Sequence, residues 1–259
     1  MKKLIVANWK MNPLTLREAS VLFNFIKNWT KKNVDILNDC IIVICPPFVY
    51  LESLFKLLKN KNANLKIALG SQNVFWEERG AFTGEISPAM LKNVGCEYVI
   101  IGHSERRRIL KESDEMINKK LKLAVKFKLK PILCIGETIE EKKEGKTFDV
   151  LRMQLMKAFY QFQISLIPHL IIAYEPVWAI GSGNACLPEE AKEILTFLRN
   201  VVNELTKSST SKILYLYGGS VNSKNAKDYI DSGFDGLLVG GASLDKKEFV
   251  KIVKNSVKG

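Results

Sequence analysis

Short apolar runs recur about eight times along the chain, and each is followed by a segment with helical spacing. The runs are continuous rather than alternating, which is typical of parallel strands that are covered on both faces. Such β-then-α units in 259 residues predict a (β/α)8 barrel. A doubly wound open sheet stays an alternative, because counting units does not establish that the sheet closes. The runs are Leu4 to Ala7, Ile41 to Cys45, Ile67 to Leu69, Tyr98 to Ile101, Ile132 to Ile135, Leu170 to Ala173, Ile213 to Tyr217 and Gly236 to Val239.

The segments between the runs have the spacing of amphipathic helices. Ser87-Pro88 predicts an N-cap followed by proline at the first helical position. Thr138 to Glu141 and Asp245 to Glu248 have the spacing of a capping box or a close relative of it. No linker or composition break is visible, so we expect one domain over residues 1–259. The predicted helices include Glu18 to Thr30, Asp114 to Lys126, Phe148 to Phe162, Ala191 to Leu205 and Lys246 to Val257.

The charge balance is strongly basic, with 39 Lys and Arg residues against 27 Asp and Glu residues and a net charge of +12. The basic residues are spread along the chain and are not interleaved with stacking aromatic residues. This favours a lysine-rich surface that attracts anionic small molecules. A nucleic-acid-binding protein remains the second hypothesis, which steeply salt-dependent binding would support.

The composition also bears on metals and on location. The five cysteines are odd in number, form no CxxC pair and are accompanied by only two histidines, so we expect no zinc site. No apolar run reaches the roughly 18 residues that a membrane-spanning helix needs. The first residues, Met1 to Asn8, lack the apolar region of a signal peptide, which favours a cytoplasmic location.

Polar residues and glycines repeatedly follow the predicted strands. In a (β/α)8 barrel the carboxyl ends of the strands form the active face, so these residues predict one site. Taken singly, each has an ordinary interpretation, such as a surface lysine, a core histidine or a turn glycine. The glycine pairs let backbone amides approach an anion closely, which predicts a phosphorylated substrate. The residues are Asn8-Trp9-Lys10, Gly102-His103-Ser104-Glu105, Glu175, Gly218-Gly219-Ser220 and Gly240-Gly241.

Five motifs, in order along essentially the whole chain, resemble the triosephosphate isomerase family. The resemblance implies a single (β/α)8 TIM barrel that interconverts dihydroxyacetone phosphate and D-glyceraldehyde 3-phosphate without a metal or cofactor. The motifs are Asn8-Trp9-Lys10-Met11-Asn12, Gly80-Ala81-Phe82-Thr83-Gly84-Glu85, Ile101 to Arg107, Ala173 to Gly181 and Tyr217-Gly218-Gly219-Ser220-Val221.

The resemblance also implies a role for each site residue. Glu175 would be the base that moves a proton between adjacent carbons, and His103 the neutral electrophile. A helix start at His103 would disfavour the imidazolium. Lys10 would stabilise the enediolate, Asn8 would hold Lys10 and the substrate in register, and Glu105 would be a buried supporting carboxylate. The phosphate would lie on amides around Gly181, Ser220, Gly240 and Gly241.

Two loops carry further expectations from the resemblance. Val177 to Ala185 would form a lid that excludes water. Its second hinge, Asn184-Ala185-Cys186, is atypical for the family, and we expect Cys186 to be accessible to solvent there. The third loop, Gln72 to Glu85, would enter a second subunit and place Thr83 near that subunit's site, giving a homodimer. The alternative is a surface Ω-loop that packs on its own chain.

Overall fold

The computed structural model describes residues 3–59, 65–162, 169–181, 183–206 and 213–257. Its strands are parallel and close into one barrel in chain order, because β1 pairs with both β2 and β8. Closure confirms the (β/α)8 barrel and shows that the open-sheet alternative is wrong. The strands are β1 Lys3–Asn8, β2 Cys40–Cys45, β3 Ile67–Ser71, β4 Cys96–Ile101, β5 Lys130–Ile135, β6 Ile171–Tyr174, β7 Leu214–Tyr217 and β8 Gly236–Val239.

Helices surround the sheet and carry most of the chain between the strands. Short 3₁₀ turns also occur at Asp35–Leu37, Phe48–Tyr50, Val177–Ala179 and Gly241–Ser243. Among the described residues, no helix is both long enough and apolar enough to cross a membrane. The α-helices are α1 Leu16–Lys32, α2 Leu51–Lys59, α3 Pro88–Asn93, α4 Ser104–Ile109, α5 Asp114–Lys126, α6 Ile139–Lys143, α7 Thr147–Ala158, α8 Pro188–Thr206, α9 Ala226–Asp231 and α10 Lys246–Val257.

One predicted helix is too long. The helix predicted from Phe148 to Phe162 ends at Ala158 as α7. The amide of Asn118 on α5 donates to the carbonyl oxygens of Ala158 at 2.8 Å and Tyr160 at 2.9 Å. These bonds satisfy carbonyl groups that would otherwise lack partners at the helix end. A side chain from a neighbouring helix therefore stabilises the end of α7, which local spacing does not reveal.

The predicted helix starts agree with the structure in most respects. The Ser87 hydroxyl accepts from the amide of Met90, and Thr138 and Glu141 form a complete capping box. Asp245 accepts from the amide of Glu248 at 3.0 Å, but the Glu248 carboxylate accepts from the amide of Ser223 at 2.6 Å. The second box is therefore only half formed, and its glutamate ties α10 to the loop after β7.

The continuous apolar runs have a simple structural cause, which is burial on both faces of the sheet. Along β1, Leu4 and Val6 belong to a cluster made of strand residues, which fills the barrel. Ile5 and Ala7 belong to the larger cluster between the sheet and the helices. Each fully buried Leu or Ile side chain contributes about 1.5–3 kcal/mol, so both layers hold the strand ends in place.

A stability prediction concerns Lys111, which is exposed and has a left-handed φ of +56°. Left-handed backbone costs a non-glycine residue about 1–2 kcal/mol, whereas the extra freedom of unfolded glycine costs about 0.5–1 kcal/mol. Lys111→Gly should therefore stabilise the protein by roughly 0.5–1 kcal/mol in urea unfolding.

The matched control is Lys119→Gly, at an exposed position inside helix α5. This substitution should destabilise the protein by about 1 kcal/mol. An equal loss of stability in both variants would contradict the strain at Lys111.

Candidate active site

The predicted site residues surround one cavity of about 290 Å³ at the carboxyl ends of the strands. They come from the ends of β1, β4, β6, β7 and β8 and from the loop after β6. Barrel closure brings together residues that are far apart along the chain. The predicted residues that line the cavity are Asn8, Lys10, His103, Glu175, Gly181, Gly218, Gly219, Ser220, Gly240 and Gly241.

Lys10 is held in an unfavourable backbone conformation by its neighbours. Its φ is +53°, and its amide donates to Asn8 Oδ1 at 3.1 Å. The amide group of Gln72 donates to the carbonyl oxygen of Lys10 at 2.8 Å and to that of Cys45 at 2.9 Å. A strained non-glycine residue persists only where its surroundings impose it. Asn8 and Gln72 thus fix the direction in which the lysine leaves the barrel.

Glu105 differs from the expectation of a buried carboxylate. Its side chain is 38% exposed in this chain, and it does not line the cavity. Its Oε1 atom accepts from Lys10 Nζ at 2.5 Å. It sits in the first turn of α4, where a carboxylate is favourable, but that turn opens toward solvent. Glu105 therefore acts on the cavity through Lys10.

His103 is the N-cap of helix α4 and is 6% exposed. Its Nδ1 atom accepts from the amide of Glu105 at 3.2 Å, so Nδ1 carries no proton in this hydrogen bond. Its Nε2 atom lies 3.0 Å from Glu175 Oε1. The hydrogen bonds therefore fit the tautomer with the proton on Nε2. That proton faces the cavity side of the ring.

Glu175 directly follows β6 and is 2% exposed. Its amide donates to the carbonyl oxygen of Ile135 at 2.7 Å, which continues the pairing of β6 with β5. Its second carboxylate oxygen, Oε2, accepts from the amide of Ser104 at 3.0 Å. The carboxylate thus rests against His103 and the first turn of α4.

The contact between His103 and Glu175 shifts both pKa values. Burial raises the pKa of Glu175, but His103 and the Ser104 amide lower it by more, so its net direction is downward. Burial lowers the pKa of His103, but the Glu175 carboxylate raises it by more, so its net direction is upward. Two contacts therefore act on the charge of His103 in opposite directions. The Glu175 carboxylate at 3.0 Å favours the imidazolium, whereas the Glu105 amide at the helix start, which donates to Nδ1, favours the neutral ring.

Two glycines of the predicted phosphate loops, Gly219 and Gly240, allow close approach of neighbouring side chains. A Cβ atom on Gly219 would lie 2.3 Å from the Tyr217 hydroxyl, and one on Gly240 would lie 3.2 Å from Lys10 Cε. Neither glycine has a left-handed φ, so the ordinary interpretation as turn glycines is wrong for both. Gly241 has open space at its Cβ position and starts a 3₁₀ turn beside the cavity.

The loop after β6 begins with the 3₁₀ turn Val177–Ala179 and ends where Pro188 starts α8. The Ser220 hydroxyl donates to the carbonyl oxygen of Ala179 at 2.5 Å, which ties the loop to the segment after β7. Gly181 and Gly183 have φ values of +68° and +77° and are exposed. Ser182 lies outside the described residues.

Cys186 is not the solvent-accessible hinge residue that the sequence predicts. It is 1% exposed, and burial raises the pKa of its thiol, so it is not a reactive thiolate at neutral pH. Asn184 and Leu187 on either side of it are exposed. At this hinge Cys186 is therefore buried in the protein, although Asn184 and Leu187 face solvent.

The comparisons with known proteins agree with this geometry. The family model described as triosephosphate isomerase matches residues 3–256. The chain is 46% identical to the triosephosphate isomerase of Aquifex aeolicus over 98% of this chain and 99% of the relative. The chain belongs to the triosephosphate isomerase family. The relative from Thermodesulfovibrio yellowstonii is also 46% identical, over 98% of this chain and 99% of its own. The relative from Clostridium tetani is 41% identical, over 97% and 96% respectively.

Sequence reasoning missed two polar residues around the site of this family member. Glu137, just after β5, is fully buried and accepts from the Tyr174 hydroxyl at 3.1 Å and from Trp178 Nε1 at 2.8 Å. Gln72, just after β3, positions Lys10 as described above. Gln72 follows β3 directly and Glu137 follows β5 after one glycine, so inspecting the ends of the third and fifth strands would have found them.

The third loop is only partly packed on its own chain. Asn73, Val74 and Phe75 at its base are buried, and Lys120 Nζ donates to Asn73 Oδ1 at 2.7 Å. Residues 77–85 are exposed, and within them Phe82 contacts Phe75 with ring centroids 4.9 Å apart. The loop therefore has a fixed base and an exposed outer part.

A pH prediction follows from the two pKa shifts. The raised pKa of His103 gives stability that is present below its ordinary value of 6.5 and is lost as pH rises through the folded value. The lowered pKa of Glu175 gives stability that is present above its ordinary value of 4.5 and is lost as pH falls. The unfolding free energy of the wild type should therefore exceed that of Glu175→Gln by the largest amount between pH 4.5 and 6.5.

Urea unfolding of both proteins across and beyond this range measures the difference. Glu97→Gln, at an exposed carboxylate in β4, is the control and should show no maximum between these values. A wild-type advantage that does not change with pH would contradict the ion pair.

Proposed function

We propose that the protein interconverts dihydroxyacetone phosphate and D-glyceraldehyde 3-phosphate, without a metal or cofactor, as an intramolecular aldose–ketose isomerase. The observation that carries the proposal is the meeting of a carboxylate, an imidazole and a lysine at one cavity that glycine-rich loops also line. Among the described residues, no cluster of metal-ligating side chains accompanies them. The chain would work as one domain with this one site.

The phosphate would lie at the side of the cavity formed by the loops after β6, β7 and β8. Gly181, Ser220, Gly240 and Gly241 line that side. Backbone amides beside glycines can approach an anion closely, and the +12 charge of the chain favours an anionic substrate. Binding the phosphate here would leave the three carbon atoms facing Glu175 and His103.

Glu175 would act as the base. Its carboxylate would take a proton from carbon 1 of dihydroxyacetone phosphate, and the electron pair of that bond would form the double bond between carbons 1 and 2. The carbonyl electrons would move to the oxygen of carbon 2, giving an enediolate. The protonated Glu175 would then return the proton to carbon 2 while the oxygen on carbon 1 becomes the aldehyde. The lowered pKa of Glu175 supports this role, because the group is ionised at neutral pH.

His103 and Lys10 would stabilise the oxygen that becomes negative. The hydrogen bonds of His103 place its proton on Nε2, where it could be donated to that oxygen and recovered from the neighbouring one. Glu175 must leave His103 to reach carbon, and its departure removes the main cause of the raised pKa of His103. The imidazole would then be neutral when the substrate is bound. Lys10 Nζ would add a positive charge and Asn8 would keep it in position.

The loop from Val177 to Ala185 would close over the bound substrate. An enediolate phosphate loses its phosphate group readily if it escapes or is reached by water, so exclusion of water protects the intermediate. The reaction would serve glycolysis and gluconeogenesis. The five cysteines are free and buried, which is consistent with the reducing cytoplasm, where we place the protein.

The decisive experiment is a coupled assay for glyceraldehyde 3-phosphate conversion. Glu175→Gln should lower kcat by about a hundredfold to ten-thousandfold, because the variant lacks the base. Glu97→Gln, on the strand before His103 but exposed, should keep the wild-type rate. A wild-type rate no higher than that of Glu175→Gln would reject the proposed reaction.

We also propose that the protein is a homodimer through the loop Gln72 to Glu85, with Thr83 near the partner's site. The exposed outer part of this loop supports the proposal. Met11 and Val49, from the loops after β1 and β2, are also exposed, at 88% and 79%. A second copy that covers these apolar side chains would remove them from water.

Light scattering should give about twice the mass of the 29.3 kDa chain. Phe82→Asp should shift the protein toward monomer and lower its activity, since a carboxylate is costly in a buried interface. Tyr160→Asp is the control at an exposed aromatic residue outside the loop. A fully active monomer would overturn the dimer.

A further inference from the structure

Tyr229 is a buried tyrosine on α9 that contacts the end of the lid. It is 1% exposed, and its hydroxyl donates to the carbonyl oxygen of Cys186 at 2.7 Å. Its ring stacks on that of Tyr217, with centroids 3.6 Å apart and planes inclined by 12°. The residue therefore reaches from a surface helix to the segment where the lid joins α8.

Tyr217 completes the contact from the other side. The amide of Cys186 donates to the Tyr217 hydroxyl oxygen at 3.1 Å. Burial raises the pKa of both phenols, so both hydroxyls keep their protons at neutral pH. The Tyr217 hydroxyl thus accepts from the amide of Cys186 while the Tyr229 hydroxyl donates to its carbonyl oxygen.

The two tyrosines satisfy both backbone polar groups of one buried residue. A buried carbonyl that loses its partner is destabilising, because it then bonds to neither protein nor water. Asn184 and Leu187 on either side of Cys186 are exposed. Cys186 is therefore the point at which this end of the lid is attached to the barrel.

We propose that Tyr229 is a positioning residue of the lid. By holding the carbonyl of Cys186, it fixes the end of the hinge from which Val177 to Ala185 close over the substrate. This inference rests on the proposed isomerase function, because it needs a lid that protects a reactive intermediate. It assigns to α9 a part in that closure, and it explains how the atypical sequence Asn184-Ala185-Cys186 can serve as a hinge.

The test is Tyr229→Phe in the full chain, which keeps the ring and its stacking but removes the donor to Cys186. Two rates are measured with glyceraldehyde 3-phosphate, namely isomerisation and release of inorganic phosphate. A poorly positioned lid lets the enediolate lose phosphate, so phosphate released per isomerisation should rise about tenfold, the factor that corresponds to one lost buried hydrogen bond of about 1.4 kcal/mol. KM should rise as well, because the lid also closes on the bound phosphate.

Tyr215→Phe is the matched control, since Tyr215 is also buried and lies on β7 but contacts Arg199 rather than the lid. It should leave both the phosphate ratio and KM at wild-type values. Tyr217→Phe removes the acceptor of the Cys186 amide and should change the ratio in the same direction. Because both bonds hold the backbone of one residue, Tyr217→Phe and Tyr229→Phe together should raise the ratio by less than the product of the two single effects.

The outcomes separate the two proposals. A wild-type phosphate ratio and KM in Tyr229→Phe, with or without a lower unfolding midpoint, would overturn the role of Tyr229 and leave the isomerase intact. If that variant does not fold, Tyr229→Leu removes the same donor and is judged by the same two measurements. Absence of isomerisation in the wild type would reject the proposed function, and the role of Tyr229 with it.

Discussion

Pairing of β1 with β8 closes the barrel, and the site depends on that closure. It brings Lys10, which follows the first strand, against Gly240, which follows the last, so closely that a Cβ atom on the glycine would meet the lysine stem. His103 and Glu175 come from the ends of β4 and β6, on either side of β5, and meet at 3.0 Å. An open sheet would separate Lys10 from Gly240. The arrangement of charges therefore follows from closure and register rather than from local sequence.

The contact of His103 with Glu175 stabilises a resting state. Each group moves the pKa of the other in the direction that favours the ion pair, so the two pKa shifts describe one coupled interaction and are not independent. The proposed reaction needs the opposite arrangement, with Glu175 at a substrate carbon and the imidazole neutral. Substrate binding would have to replace the two hydrogen bonds that Glu175 makes with His103 and Ser104. The resting contact thus makes the base ionised and buried before it is used.

Much of the fold and the site could be predicted from the sequence, because burial on both faces and position after a strand leave local signals. The eight strands follow from such signals alone, and so do the predicted site residues that line the cavity, all but Gly181. The errors share a different cause. The burial of Cys186 and the end of α7 depend on Tyr229 and Asn118 respectively. Each of these partners is distant in sequence, so no local pattern reports it. Glu105 is the converse case, because it belongs to a motif of the family but its side chain is 38% exposed in this chain.

The proposed lid, the loop after β6, is attached to the barrel at both ends by buried polar side chains. At its start, Trp178 donates to Glu137 after β5, and Lys142 lies 3.8 Å from the centre of the Trp178 ring. At its end, Tyr217 on β7 and Tyr229 on α9 hold the backbone of Cys186. Between these points lie Gly181 and Gly183, exposed and in left-handed conformations that glycine adopts without strain. The proposed lid could then close through changes at these glycines while both of its ends keep their contacts with the barrel.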